Sequence, residues 1–102
     1  MPNLEDATLP WEPERYLGSE EAQLAYLTAA LEENNPAAFT EALGVVARAR
    51  GMTQLAREVG TGRDTLYKAL GDGGNPSFAL IVKVLHALGA TIDVKPAPKV
   101  VA

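Results

Sequence analysis

Between Gly62 and Gly71 the chain reads Arg63-Asp64-Thr65-Leu66-Tyr67-Lys68-Ala69-Leu70, a short run rich in hydrogen-bonding and charged side chains. Stepping 100° per residue from Arg63 places Leu66, Ala69 and Leu70 on one face and leaves Asp64, Tyr67 and Lys68 opposite, with Thr65 on the flank. Such a face suits recognition of a polar surface. Bond-making chemistry finds no comparable constellation elsewhere. The single histidine, His86, falls in or beside an apolar helical stripe, where a packed or surface side chain is the commoner outcome than a base. The carboxylate pairs Glu20/Glu21 and Glu32/Glu33 are adjacent residues, which point about 100° apart on a helix and do not converge on one substrate atom. Gly71-Asp-Gly-Gly74 lacks the Lys-Ser/Thr that completes a phosphate loop. With no cysteine in the chain, thiol catalysis, disulfides and cysteine-ligated metal sites are excluded. No enzymatic activity, metal or cofactor is expected.

The elements that would position this face form a helix, a turn and a helix. From Met52 to Gly71 the sequence carries Leu55, Val59, Leu66 and Leu70 as apolar faces, with small Ala56 where two helix axes would pass closest. Gly60 stands in the turn, where a backbone with φ > 0 suits a residue without Cβ. The spacing Ala56, Gly60, Leu66 is a packing signature before it is a functional one. Thr53 is expected to cap the first of these helices, which runs through Val59, and the second starts near Arg63 and runs to Leu70.

Around this pair the chain predicts three further helices. Ser19 with Glu20 and Glu21 marks an N-terminus with acids opposing the helix dipole, and Leu24, Leu27 and Leu31 recur at helical spacing beside Ala22, Tyr26, Ala29 and Ala30. Asn35 caps a second helix with Pro36 at its first position; Phe39, Leu43, Val46 and Ala47 form its stripe, and Gly51 ends it. Ser77 caps a last helix with the stripe Phe78, Ile81, Val82, Leu85 and Leu88, closed by Gly89. Thr91 to Val94 is a possible short strand. The fold class expected is therefore all-α, five short helices with an extended N-terminal arm. Residues 1–18 are the arm, 19–95 the body and 96–102 a flexible tail.

Length and charge set the frame for partners. The chain has 102 residues, enough for one domain, and its 47% hydrophobic and 22% charged content is that of a folding globular chain. The net charge of −4 conceals a split. Residues 1–35 hold eight acids against the single base Arg15, a net of −7, so the remainder carries +3. Opposite signs in two halves suggest two different partners, although acids that merely solvate a helix would give the same count. The N-terminus has no apolar leader segment and no stretch approaches about 18 apolar residues, so a soluble cytoplasmic protein is expected.

The stretch Ala47-Arg-Ala-Arg-Gly-Met-Thr-Gln-Leu-Ala-Arg-Glu-Val-Gly60, with Leu66-Tyr-Lys-Ala-Leu-Gly71, Gly74-Asn-Pro-Ser-Phe78, the arm motif Tyr16-Leu-Gly-Ser-Glu-Glu-Ala22 and Ala30-Leu-Glu-Glu33, resembles the HigA-like addiction-module antidote proteins, antitoxins with a Cro/CI-type, lambda-repressor-like helix-turn-helix. The likeness runs over roughly residues 11–95. It implies a dimeric regulator that neutralises a RelE/ParE-like toxin and represses the shared promoter. A stand-alone helix-turn-helix repressor without a toxin partner is the alternative. Where relatives usually place Ser at the entry to the second helix of the motif, this chain has Gly62, which offers no hydroxyl to a phosphate but keeps its N–H.

Given that resemblance, the helix from Arg63 is the one that would enter the major groove of operator DNA. Arg63 can make a bidentate contact to guanine and Thr65 can meet a thymine methyl. Asp64 can accept from a cytosine amino group or orient Arg63, and equally can be a first-turn acid favoured by the dipole. Tyr67 and Lys68 suit backbone contacts, as do Thr53 and Gln54 at the start of the preceding helix. Arg48, Arg50 and Arg57 can add unspecific attraction, although solvated arginines are commoner. Only five bases fall within residues 36–72, which calls for a homodimer spanning two half-sites; the 91–94 segment or the last helix can build it. For a basic toxin, the acidic arm with Trp11, Tyr16, Leu17, Glu20 and Glu21 is the expected surface, the three apolar groups being alternatively anchors of the arm to its own domain.

Overall fold

The computed structural model describes residues 17–97. Five helices follow one another: α1 (Glu20–Glu32), α2 (Pro36–Arg50), α3 (Met52–Val59), α4 (Arg63–Ala69) and α5 (Phe78–Ala87). The fold is all-α, with no strand among the described residues; residues 91–97 carry no regular structure, so the possible strand at 91–94 is not formed there.

Three of the helix starts follow directly from their capping side chains. Ser19 Oγ accepts from the Ala22 N–H at 3.1 Å, Asn35 Oδ1 from Ala37 and Ala38 at 3.0 and 3.3 Å, and Ser77 Oγ from Leu80 at 3.1 Å. Each removes donors that a helix start otherwise leaves to solvent. The start of α3 departs from expectation. It begins at Met52, flanked by Gly51 with φ 115°, and no side chain caps it; Thr53 lies inside the helix with its side chain exposed. A cap must be the residue whose own dihedrals are not helical, and here that is Gly51.

The core gathers one face from each helix, with Leu43, Val46, Leu55, Leu66, Val84 and Leu88 fully buried. α1 packs on α2, while α3 is the hub that touches α2, α4 and α5. In α1 the buried face is Gln23, Leu27 and Ala30, an i, i+4, i+7 set; Leu24 is only half-buried and Leu31 stands exposed. In α5 the buried side is Val84 and Leu85, continued by Leu88, whereas Phe78 is 70% exposed and Val82 is also in solvent. The expected stripes were thus rotated at both ends of the chain. α5 is apolar nearly all round, so periodicity alone does not choose its inward side.

The entry to α1 is tied down by a polar clasp. Leu17 is buried in the core, and its carbonyl accepts from Gln23 Nε2 at 2.8 Å. Gln23 Oε1 in turn accepts from Arg50 Nε and Nη2 at 3.1 and 2.8 Å, and Arg50 Nη2 also reaches the Leu88 carbonyl at 3.2 Å. One glutamine and one arginine therefore bind the start of α1, the end of α2 and the end of α5. No buried side-chain polar atom among the described residues lacks a partner.

Candidate nucleic-acid interface

The turn between α3 and α4 is built on backbone chemistry. Gly60 adopts φ 77°, ψ 31°, the left-handed conformation that costs an L side chain about 1 kcal/mol. Its N–H bonds to the Arg57 carbonyl at 3.3 Å and the next N–H, Thr61, reaches back to Ala56 at 3.0 Å. This pair of bonds is a Schellman motif, which ends α3 and reverses the chain within residues 60–62. Ala56, 2% exposed, leaves room for the close packing of α3 on α4.

α4 then seats Leu66 in the core, with Leu70 beside it at the helix end, both fully buried. That orientation turns the opposite face outward. Arg63, Asp64, Thr65 and Lys68 are exposed, and Tyr67 is 48% exposed. The Arg63 guanidinium carbon stands 5.9 Å from the centroid of the Tyr67 ring, within cation–π range, so one turn of α4 holds the arginine against the aromatic face. Neither Gly62 nor any other side chain caps α4, whose first N–H groups remain directed out of the helix start. Thr53 and Gln54 are exposed on the first turn of α3, so the seven sequence-derived positions all lie on the surface of two helices packed on each other. Gln54 Nε2 donates to Glu58 Oε1 at 3.2 Å, which engages one of its two amide hydrogens.

The three arginines expected to add unspecific attraction separate. Arg57 is exposed on α3. Arg48 is exposed on α2 and lines a cleft of about 470 Å³ with Glu41, Tyr67, Asp72 and Gly74. Arg50 is half-buried and engages Gln23 and the Leu88 carbonyl in the clasp through Nε and Nη2, so these two nitrogens serve the packing of α1 and α5.

Two residues with no local sequence signature position the interface. Gly44, buried in the middle of α2, lies against the Leu70 carbonyl so closely that a Cβ there would collide with it. This contact fixes how near the end of α4 approaches α2. Gln23 was legible only as the polar member of the 23, 27, 30 series, a residue at a core-facing register position that must find partners. Of the acidic surface expected for a protein partner, Glu20 and Glu21 are exposed in the first turn of α1. Leu17 is not available: it is part of the core, and a partner would have to pull it out. Trp11 and Tyr16 lie outside the described residues.

Residues 8–96 match the family model of the probable addiction module antidote proteins. The chain belongs to this family. An uncharacterized protein of Haemophilus influenzae is 46% identical over 80 residues, 78% of this chain and 82% of its own length. No solved structure matches significantly. The outer face of α3–α4 and the acidic start of α1 are both exposed, and they share no residue. No group of three or more potential metal ligands occurs among the described residues, and no described helix is long and apolar enough to cross a membrane.

Proposed function

We propose that this antidote protein is a cytoplasmic, non-enzymatic antitoxin that binds a RelE/ParE-like toxin and represses its own operon as a homodimer on operator DNA, through a HigA-like, Cro/CI-type helix-turn-helix. The observation that carries the DNA half is the seating of α4: Leu66 and Leu70 lie in the core while Arg63, Asp64, Thr65, Tyr67 and Lys68 stand outward. A helix held by its apolar side at the end of a tight turn can enter a major groove about 12 Å wide with its first residues leading. Arg63 then meets a base edge, Thr65 a thymine methyl, and Tyr67, Lys68, Thr53 and Gln54 the phosphates. The open N–H groups at Gly62 and at the α3 start add backbone donors for phosphate oxygens.

The toxin half rests on the family and on charge. The first 35 residues carry −7, which suits a basic partner and would speed encounter with it. In this reading Trp11 and Tyr16 supply apolar anchors for the toxin, and Glu20 and Glu21 supply charge. Leu17 is buried in the core. Deleting residues 1–16 leaves Leu17 in place and tests the assignment. Coexpressed with the product of the neighbouring reading frame, the full chain is expected to relieve toxicity and copurify, and the truncated chain to do neither. Equal rescue by both would remove the arm from the contact. A mobility shift with the chain's own promoter tests the DNA half separately.

A further inference from the structure

A continuous apolar trough runs between α1 and the chain that leaves α5. It consists of three hollows of about 310, 360 and 300 Å³. Leu31 and Phe39 line the first and second, and Phe78 and Ile92 the second and third, so the hollows share walls. Leu31 is 58% exposed, Phe78 70% and Ile92 48%, which leaves large apolar side chains in solvent along this line. Single exposed hydrophobes are ordinary, whereas a connected set around a hollow marks an interaction surface. No residue of α3 or α4 lines it.

Helical geometry sets an acidic edge beside the trough. At 100° per residue, Glu20, Leu24, Leu27 and Leu31 fall on one strip of α1, and Glu21, Thr28 and Glu32 on the next strip, turned further from the core. The Glu20 carboxylate lies against Gly89, where a Cβ on that glycine would collide with it. Gly89 lines the first hollow, so a negative charge stands at the head of the trough. Glu21 and Glu32 are exposed, and α1 contains no Lys or Arg. The one lysine of α5, Lys83, is turned about 100° or more from Phe78 and Val82. It lines a different hollow, with Glu58 and Val59.

We infer that this trough receives the toxin of the addiction module, which docks there through an apolar ridge flanked by lysine or arginine side chains. Charge decides among the candidate occupants. A second copy of the chain would bring the same glutamates, Glu20, Glu21 and Glu32, to the seam. The N-terminal arm suits it no better, because residues 1–16 hold Glu5, Asp6, Glu12 and Glu14 against Arg15, a net of −3. Like charges facing each other across a contact oppose it, while a basic partner gains from all three glutamates. An antidote of an addiction module has a toxin as its protein partner, and the trough gives that partner a place on the body of the chain. A ridge laid along it buries Leu31, Phe78 and Ile92 at the centre of the contact and leaves the glutamates as a polar rim. The trough and the outer face of α4 have no residue in common, so toxin and DNA make use of different side chains.

The inference rests on the toxin half of the proposed function and adds to it a surface that lies outside the arm. The test titrates the full chain against the purified product of the neighbouring reading frame, as wild type, Phe78→Asp, Ile92→Asp and Glu32→Lys. Phe78 is the first residue of α5, where an aspartate suits the helix dipole, and Ile92 lies outside regular structure, so both variants should keep the helical circular dichroism and urea midpoint of the wild type. Each aspartate is expected to weaken toxin binding roughly thirtyfold or more. Glu32→Lys is expected to weaken it roughly two- to fivefold at low salt, with the difference shrinking as salt is raised. A wild type that neither relieves toxicity nor binds the product removes the toxin reading and this inference with it. A wild type that binds, with Phe78→Asp and Ile92→Asp binding as tightly, overturns the inference alone, as does Glu32→Lys matching the wild type at low salt. A lower sedimentation mass for Phe78→Asp would give the trough to a second copy and overturn it. So would a shifted emission of Trp11, the one tryptophan of the chain, in Phe78→Asp without toxin, which would give the trough to the arm.

Discussion

Arg63 lies over the ring of Tyr67, 5.9 Å from guanidinium carbon to centroid, one helical turn along α4. Both side chains come from a helix whose other face, Leu66 and Leu70, is locked in the core. The stacking limits where the guanidinium can go and presents it beside the α4 N-terminus. If this arginine reads a base, Tyr67 acts by holding it as well as by any phosphate contact of its own.

Tyr67→Phe and Tyr67→Ala separate those two roles. The phenylalanine keeps the ring under Arg63 and removes only the hydroxyl, so promoter affinity should fall slightly and uniformly over sequences. The alanine frees the arginine and should relax discrimination at the base it reads. Titrating both variants against the promoter and against single-base mismatches distinguishes the outcomes; identical behaviour would assign the ring no positioning role.

Gly62 opens α4 without a capping side chain, and a Cβ there meets nothing closer than Thr65 Oγ1 at 3.8 Å. Gly62→Ser should therefore fit, stabilise the protein by a few tenths of a kcal/mol and add a hydroxyl at the helix start. A small rise in melting temperature with tighter promoter binding is expected. A loss of either would mean that the extended Gly62 backbone is itself needed.

Gly44→Ala tests how α4 is held. The added methyl must displace the Leu70 carbonyl, and overpacking of this kind costs about 1–3 kcal/mol. Chemical denaturation should show that loss, and promoter binding should weaken although residue 44 is buried in α2. A neutral substitution would show that α4 can shift away without consequence.

The clasp is the stability prediction of the α1 entry. Arg50→Ala leaves Gln23 Oε1 and the Leu88 carbonyl without their donor, a cost of about 1–3 kcal/mol for buried acceptors. Arg50→Lys reaches at most part of the set, because a lysine has no second nitrogen in the plane of the first. The prediction is checked by urea denaturation, with Arg57→Ala, an exposed arginine on α3, as the control that should change little.

Local chemistry was legible in the sequence and long-range chemistry was not. Ser19, Asn35 and Ser77 announced their helices because a cap acts on N–H groups two or three residues away, and Gly60 announced its turn because a left-handed residue favours glycine. Thr53 misled because a threonine one residue inside a helix looks like a cap when the true boundary is a glycine. The Gln23–Arg50 bond joins residues 27 apart and the Arg50–Leu88 bond residues 38 apart, so no local pattern carries them. Arg50 accordingly read as a surface arginine. Phe78 and Val82 were expected in the core because α5 is apolar on nearly every side, and only the position of α3 decides which side is covered. The outward residues of α4 were legible because Leu66 and Leu70 are the large apolar residues of that helix.

The central claim is that the outer face of α4 reads the chain's own promoter. Fluorescence anisotropy with a labelled promoter fragment, at two salt concentrations, measures it most directly for wild type and Arg63→Ala. The account predicts salt-dependent, promoter-specific binding by the wild type, and a loss of about 1–3 kcal/mol in Arg63→Ala that falls on the promoter and not on unrelated DNA. Binding that is absent for the wild type at low salt, or unchanged by Arg63→Ala, would contradict it.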